Sequence, residues 1–285
     1  MDTTLLDPQP AARLMASRAL FDALAPSRAD ACHPAAQFAQ AVARVVNGLV
    51  AHEVYANAAS AASAGGLTPR QARANLARAA ACDASPLAAL FPAGLATRAF
   101  EQRWNALNEA ARFGVATTVA APGTRAAAIH RTPRTREEDN PLRAALSECC
   151  IEWLATRSAE DDPTGEQALV SLSLRLGQER GAAHEVAAYL YTEPEADLET
   201  CAAELAVTPR TLQRQLARGG LAFGVLRQAV RLTIAGQRLR SRAGSITATA
   251  HAAGFYDSAH LTHAWQDACG LTPSAYRAIA TIARA

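Results

Sequence analysis

The chain has 285 residues, of which half are hydrophobic and only 5% aromatic, and its formal net charge is +2. This length is sufficient for two domains, each with its own core. No apolar run approaches the roughly 18 residues needed to cross a bilayer. The first residues, MDTTLLDPQP, lack the basic and apolar stretches of an export signal. We therefore expect a cytoplasmic protein with reduced cysteines.

The first 180 residues are rich in alanine, which favours helix because its side chain loses no conformational freedom there. Thr68 followed by Pro69 is typical of a helix start, with a capping hydroxyl before a proline at the first helical position. Residues 115–119 could form a short strand. The predicted helices of this part are Pro10–Leu24, Ala35–Ala62, Pro69–Ala81, Leu95–Phe113, Pro141–Thr156 and Gly165–Gln178.

Some residues of this part could have a binding function, but their patterns favour a structural role. The arginines Arg131, Arg134 and Arg136 could contact phosphate, but a solvated loop around Pro133 is the simpler prediction. The tryptophans at positions 104 and 153 lie in amphipathic helical patterns and are predicted core residues. Residues 1–180 are therefore predicted to form a helical regulatory domain that binds a ligand or a partner.

The last hundred residues show clearer helix boundaries. Asp197 and Thr208 are candidate N-caps, and Pro209 follows at the first helical position. The glycines at positions 219, 220 and 244 separate the following segments. The predicted helices are Leu198–Leu205, a helix from Pro209 to the glycines at 219–220, Leu221–Arg240, Ile246–His251, a helix capped by Asp257 or Ser258 and ending at Ala268, and a last one from Pro273.

The charge is distributed unevenly, and all 28 basic residues are arginines. Residues 205–285 contain ten arginines and two acidic residues, whereas residues 1–204 contain 18 arginines and 24 acidic residues. A basic end on an acidic body indicates a polyanionic partner for that end.

Two segments in the basic end have the pattern of a helix-turn-helix. In this motif the second helix enters the major groove, so one of its faces is polar and the other is apolar and packed. Leu212 and Leu216 are predicted to pack in the first segment, and Leu261 and Trp265 in the second. A connecting helix of roughly 20 residues spans about 30 Å, close to the roughly 34 Å between successive major-groove faces. One chain could therefore place two recognition helices in adjacent turns of one duplex.

The sequence GFYDSAHLTHAWQDACGLTPSAYR, residues 254–277, resembles the signature of the AraC/XylS transcription regulators. The sequence LETCAAELAVTPRTLQRQL, residues 198–216, resembles the first helix-turn-helix of the same family. This resemblance covers about a third of the chain. It implies a seven-helix DNA-binding domain over residues 183–285, with two helix-turn-helix motifs joined by a long helix. The expected fold class is mostly all-α.

The resemblance also implies the partners and the DNA-contacting residues. The partners are double-stranded promoter DNA, RNA polymerase, and an unidentified small-molecule effector or protein coactivator at the N-terminal domain, with homodimerisation left open and no membrane contact. The implied DNA-binding residues of the first motif are Arg210, Thr211, Gln213, Arg214 and Arg218. In the second motif they are Ser258, Ala259, His260, Thr262 and His263.

The chain departs from the family pattern at three places. Ala206 stands in the first turn where glycine is frequent, and a positive φ there would cost alanine about 1 kcal/mol. His263 stands where arginine is frequent, and an imidazole cannot make the bidentate contact of arginine with guanine. Asp267 follows the second recognition helix where the family has a basic residue. We therefore expect the second motif to bind DNA more weakly than the first.

The alternative to a transcription regulator is a DNA-repair enzyme, because some alkyl-transfer proteins of DNA repair carry the same type of DNA-binding domain. Such a protein requires cysteines at zinc-binding spacing, and Cys32, Cys82, Cys149 and Cys150 are too scattered for that. The sequence predicts no catalytic residue, no metal site and no cofactor.

Overall fold

The computed structural model describes residues 14–25, 33–120, 128–135 and 139–282. Within these ranges the chain forms fourteen α-helices and two small antiparallel sheets of two strands each. The predicted fold class, mostly all-α, is therefore confirmed. None of the helices in the described ranges is both long and apolar enough to cross a bilayer.

Seven helices and four strands lie before residue 181 in the described part of the chain. They are β1 (Met15–Ser17), α1 (Arg18–Asp22), α2 (Pro34–Val46), β2 (Leu49–Ala51), α3 (His52–Ala64), α4 (Pro69–Ala80), α5 (Thr97–Ala110), β3 (Val115–Ala120), β4 (Ala128–Pro133), α6 (Pro141–Thr156) and α7 (Ala168–Arg175). A short 3₁₀ turn lies at Ala88–Leu90 between α4 and α5.

Two of the predicted helices are wrong in part. Pro10–Leu24 was expected to be one helix, but β1 occupies part of it and pairs with β2, while residues 10–13 lie outside the described ranges. The predicted helix Ala35–Ala62 is interrupted by β2. At Gly48, just before β2, a Cβ atom would lie only 2.2 Å from the carbonyl oxygen of Ala268. The chain bends there because a distant segment packs against its backbone, which local sequence does not reveal.

The predicted strand at residues 115–119 is confirmed, but the predicted loop around Pro133 is wrong. Residues 128–133 form β4, which pairs with β3 along its whole length. Arg131 is bound to Asp139 at 2.7 Å, and the Arg134 guanidinium donates to the backbone carbonyls of Ala111 and Asn108. Arg131 is largely buried, whereas Arg134 is exposed but held by these hydrogen bonds, so both arginines fix the hairpin in place. Arg136 lies outside the described residues.

Seven further helices lie within residues 182–282, the part after residue 181 that the structure describes. They are α8 (Ala182–Thr192), α9 (Leu198–Glu204), α10 (Pro209–Arg218), α11 (Phe223–Arg240), α12 (Ile246–Ala252), α13 (Ser258–Cys269) and α14 (Pro273–Ala280). The sequence patterns predicted all of these except α8, which begins at the expected domain boundary. The number of helices agrees with the seven that the family resemblance implies.

The main hydrophobic core contains residues from both halves of the chain. Phe38 and Val42 of α2 belong to the same buried cluster as Leu226 and Val230 of α11, and α2 packs directly against α11. The last helix, α14, packs against α5. The seven C-terminal helices are therefore covered on one side by the N-terminal part of the chain.

Candidate nucleic-acid interface

The first helix-turn-helix consists of α9 and α10. A side-chain oxygen of Asp197 accepts a hydrogen bond from the backbone amide of Thr200 at 2.8 Å and caps α9. Thr208 caps α10 in the same way, because its hydroxyl accepts from the amide of Thr211 at 3.2 Å. With Pro209 at its first position, α10 begins where the sequence predicts.

The two faces of α10 differ sharply. Leu212 and Leu216 are buried and fix the helix to its neighbours. Thr211 is half-buried, and its hydroxyl lies 3.0 Å from that of Thr208, so it is engaged in the cap. The predicted DNA-contacting residues that are exposed on this helix are Arg210, Gln213, Arg214 and Arg218.

The second helix-turn-helix consists of α12 and α13. Asp257 caps α13, since its carboxylate accepts from the amide of His260 at 2.7 Å. Leu261 and Trp265 are fully buried, as predicted. The rings of Trp265 and of Tyr276 in α14 are nearly perpendicular, with their centres 4.8 Å apart, so α14 packs against the buried side of α13.

The predicted DNA-contacting residues of α13 are not equally accessible. Ala259, His260 and His263 are exposed. Ser258 and Thr262 are half-buried, and the Thr262 hydroxyl donates to the carbonyl of Ser258 at 2.7 Å. The hydroxyl of Thr262 is therefore occupied within its own helix. Among the predicted DNA-contacting residues of α13, the polar side chains that are exposed are those of the two histidines.

Both motifs contain the same turn. The amide of Val207 donates to the carbonyl of Ala202 at 2.9 Å, and the amide of Phe255 donates to the carbonyl of Ala250 at 2.9 Å. The two turns thus end α9 and α12 with the same hydrogen-bond pattern, in which a residue bonds back across five positions. This likeness indicates that the two motifs present their second helices in the same local geometry.

Some arginines of the C-terminal part bind the protein's own backbone and are not available to contact DNA. Arg227, Arg231 and Arg240 donate to backbone carbonyls of Ala196, Pro194 and Thr164 at 2.8–3.4 Å. Burial lowers the pKa of Arg231, which is consistent with a structural role. The charge that remains for a polyanion is therefore smaller than the sequence count indicates, and it is concentrated on α10.

The cysteine chemistry of the alternative function finds little support in the geometry. In the described part of the chain, no three side chains of His, Cys, Asp or Glu are grouped so that they could hold a metal ion. Burial raises the pKa of Cys150 to about 12 and also raises that of Cys82. Both thiols are thus held in the protonated, poorly nucleophilic form. Cys32 lies outside the described residues.

One group of polar residues was missed by the sequence analysis. His52, Tyr55, Arg131 and Arg143 line one cavity in the N-terminal part, although they come from three separate elements. The residues are up to 91 positions apart, and no spacing rule connects them. Trp104 and Trp153 line the same cavity, so the prediction that they are core residues describes their surroundings only in part.

Residues 201–279 match the family model described as a helix-turn-helix domain. Among solved structures, a DNA-binding transcriptional dual regulator from Escherichia coli K-12 is 20% identical, with a TM-score of 0.34, over 35% of this chain and 92% of that one. ToxT from Vibrio cholerae O395 is 16% identical, with a TM-score of 0.34, over 49% of this chain and 57% of that one. None of the curated proteins matches the chain. The C-terminal part of the chain, over residues 201–279, is therefore similar to the helix-turn-helix domain of AraC-type regulators.

Proposed function

We propose that this protein is a sequence-specific transcription regulator that binds promoter DNA through α10 and α13 in two adjacent major grooves. The observation that carries the proposal is the repeated motif, in which each second helix is capped, packed by two buried apolar residues and polar on its exposed face. One such hairpin is compatible with an ordinary core, because surface helices commonly have a polar exposed face. Two of them joined by a long helix favour DNA recognition.

The connecting helix supports the binding of two grooves. The 18 residues of α11 span about 27 Å at 1.5 Å per residue. The turns and helices at its two ends add to that length, and successive major-groove faces lie roughly 34 Å apart. The connection therefore has the right scale to bring both recognition helices to one face of a duplex.

We propose further that the first motif supplies most of the affinity. Arg210, Arg214 and Arg218 are exposed and carry permanent positive charge. On α13 the exposed polar side chains are His260, His263, Gln266 and Asp267, and the Asp267 carboxylate opposes the negative charge of DNA. The second motif then adjusts specificity more than affinity.

The contact between the two halves of the chain supports control of DNA binding by the N-terminal part, residues 1–180. The end of α13 touches the junction of α2 and β2, because Gly48 packs against the Ala268 carbonyl. From there β2 leads directly to His52, which lines the N-terminal cavity. A change at the cavity therefore has a short route of packed backbone to the second recognition helix.

The test measures binding of the full chain to duplexes from its own promoter region by fluorescence anisotropy at increasing salt. We expect affinity to fall steeply with salt, because neutralised phosphates release counterions. The variant Arg210→Gln/Arg214→Gln/Arg218→Gln should lose most of the affinity and lower the salt slope by about one per phosphate contact removed.

A matched control removes three exposed arginines outside the C-terminal helices, as Arg70→Gln/Arg98→Gln/Arg180→Gln. Its net charge is the same as that of the first variant, so general electrostatics would weaken both equally. Equal losses, or a parent protein that binds none of the promoter duplexes at low salt, would refute the proposal.

A further inference from the structure

The N-terminal part contains a cavity of about 110 Å³ with a mostly apolar wall. The large apolar side chains that line it are those of Leu76, Phe91, Trp104, Leu107, Phe113 and Trp153. Packed protein cores contain few spaces larger than a water molecule. Because an apolar cavity of about 150 Å³ can bind benzene, this space has the scale of a small ring compound.

Two buried donors lie at one end of the cavity. Tyr55 is 4% exposed, and its hydroxyl has no hydrogen-bond partner among the described residues. Arg131 uses Nε and Nη2 to bind Asp139 at 2.8 and 2.7 Å, but its Nη1 is buried and has no acceptor in the same part of the chain. The charge of Arg131 acts on the Tyr55 hydroxyl, so the two donors are close to each other. Buried donors are almost always satisfied in native proteins, so this pair indicates that a ligand supplies the acceptor.

The Tyr55 hydroxyl is a donor at neutral pH. Burial raises its pKa, and the nearby positive charges of Arg131 and Arg143 lower it by less. The hydroxyl is therefore protonated throughout the physiological range and can donate to an oxygen acceptor.

Water by itself fits this space poorly. A buried water molecule typically makes about three hydrogen bonds to polar groups, and most of the wall beyond the two donors is apolar. A ligand that places one oxygen atom at the polar end and an apolar body along the rest of the wall satisfies the donors. It also removes apolar surface from water, which favours binding.

Charged groups of both signs face the cavity. Arg131 and Arg143 line it, and both are bound to Asp139, at 2.7 and 3.3 Å. Asp83 also lines it, and burial together with the negative charge of Asp83 raises the pKa of the Cys150 thiol on the same wall. An anion would therefore meet Asp83 and a cation would meet the arginines, and either would lose its hydration in an apolar space. A neutral ligand has neither cost.

We propose that the cavity binds a neutral compound of about one ring that carries a carbonyl oxygen. This oxygen has two lone pairs and accepts one hydrogen bond from the Tyr55 hydroxyl and one from Nη1 of Arg131. The ring lies against the aromatic part of the wall. The inference names the ligand class of the control site in the proposed function, and it rests on that function only for its regulatory meaning.

The test uses four benzene derivatives that differ in one substituent, namely benzaldehyde, toluene, benzoate and benzylammonium. The full chain is titrated at pH 7 by isothermal calorimetry, and the midpoint of thermal unfolding is measured in parallel. We expect saturable 1:1 binding of benzaldehyde and roughly tenfold or more weaker binding of the two ions, because each ion would lose its hydration. Cyclohexanone, with the same oxygen on a ring of similar size, should also bind. Failure of both carbonyl compounds to bind, or an ion that binds as tightly as benzaldehyde, would overturn the proposal.

The variant Tyr55→Phe locates the carbonyl oxygen. It removes a hydroxyl without a partner among the described residues and should leave the fold intact. It should weaken benzaldehyde binding about three- to tenfold and leave toluene binding unchanged, since toluene offers no acceptor. The control Tyr191→Phe removes a buried hydroxyl that lies 2.7 Å from that of Thr233, away from the cavity, and should change neither affinity. An equal effect of Tyr55→Phe on both ligands would contradict the inference.

A second pair of variants tests the cavity itself. Ala80 is buried and lines the cavity, so Ala80→Leu fills part of it and should weaken the binding of benzaldehyde and toluene alike. Ala77→Leu, at an exposed position of the same helix, is the control. Thermal unfolding of each variant without ligand verifies that it folds. If Ala80→Leu folds and binds both ligands as tightly as the parent, the ligands bind elsewhere and the proposal is wrong.

DNA binding is measured on the same proteins, so the two proposals fail separately. A chain that binds benzaldehyde but no promoter duplex refutes the proposed function and retains the ligand site. A chain that binds promoter DNA but neither carbonyl compound refutes the ligand site alone.

Discussion

Ala206 and Gly254 occupy the same position in the two helix-turn-helix turns, and both have a left-handed backbone, with φ of 53° and 74°. Ala206 therefore has the positive φ that we expected to destabilise alanine in the first turn. At Gly254 an added Cβ would lie 2.7 Å from the carbonyl oxygen of Pro194, whereas Ala206 is exposed and has room for its methyl group. The first turn tolerates a side chain at the cost of backbone strain.

We predict that Ala206→Gly raises the free energy of unfolding by about 0.5–1 kcal/mol, because glycine adopts positive φ without the steric cost of a Cβ. Urea unfolding at pH 7 measures the change. The control is Ala203→Gly, at an exposed helical position of α9, which should lower stability by about 1 kcal/mol. A loss of the same size in both variants would show that Ala206 is not strained.

A second prediction concerns base recognition by α10. Arg214 is exposed on the face opposite the buried Leu212 and Leu216. If Arg214 contacts a base edge, Arg214→Ala should cost about 1–3 kcal/mol at one base pair and relax specificity there. Binding to a library of single-base variants of the site measures this. A uniform loss over all sequences would assign Arg214 to a phosphate, and Arg180→Ala serves as the control that should change nothing.

A third prediction concerns the attachment of the last helix. The buried hydroxyl of Tyr276 donates to the carbonyl of Pro86 at 2.9 Å, across 190 positions of sequence. Tyr276→Phe leaves that carbonyl without its donor and should lower the free energy of unfolding by about 1–3 kcal/mol. Tyr256→Phe, at a side chain that is 85% exposed, should change it by less than about 0.5 kcal/mol. Equal small effects in urea unfolding would show that the buried hydrogen bond is unimportant.

A fourth prediction concerns stability in acid. Burial would raise the pKa of Asp162, but hydrogen bonds from Thr164 and the amide of Ala93, together with Arg157, hold it below its ordinary value. A lowered folded-state pKa stabilises the fold fully above the unfolded-state value of about 3.9, and this contribution disappears as the pH falls through the folded-state pKa.

The variant Asp162→Asn should therefore lower the free energy of unfolding by about 1.5–3 kcal/mol at pH 7, because it removes charged hydrogen bonds. The difference from the parent should shrink as the pH is lowered below about 3.9. Urea unfolding over a pH series measures it, with Asp161→Asn as the exposed neighbouring control. A difference that is constant with pH would contradict the assignment.

The helices that could be predicted are those whose boundaries are set locally. Thr68, Asn140, Thr208 and Thr272 each cap a helix that begins with proline, and these helices begin at the predicted or nearly the predicted residues. The buried and exposed faces of α10 and α13 also follow from the spacing of Leu212 and Leu216 and of Leu261 and Trp265. Local caps and periodicity are visible in sequence because they act within one or two turns.

The features that could not be predicted depend on contacts between distant segments. The strand β2 interrupts a helical pattern because Gly48 meets Ala268, 220 positions later. Arg131 and Asp139 look like part of an exposed charged loop, yet their ion pair lies at the cavity. Short-range charge patterns cannot distinguish such a pair from solvated residues, so the cavity and its polar end were not predicted.

The shared core has a consequence for synthesis on the ribosome. Phe38, Val42 and Val45 of α2 are buried in a cluster whose main helix, α11, follows roughly 180 residues later, which takes roughly 10–40 seconds to translate. During that interval the apolar face of α2 has no native partner from α11 to cover it. We therefore expect chaperones that bind exposed apolar helices to bind the N-terminal half as it is synthesised. A chain truncated before α11 should aggregate.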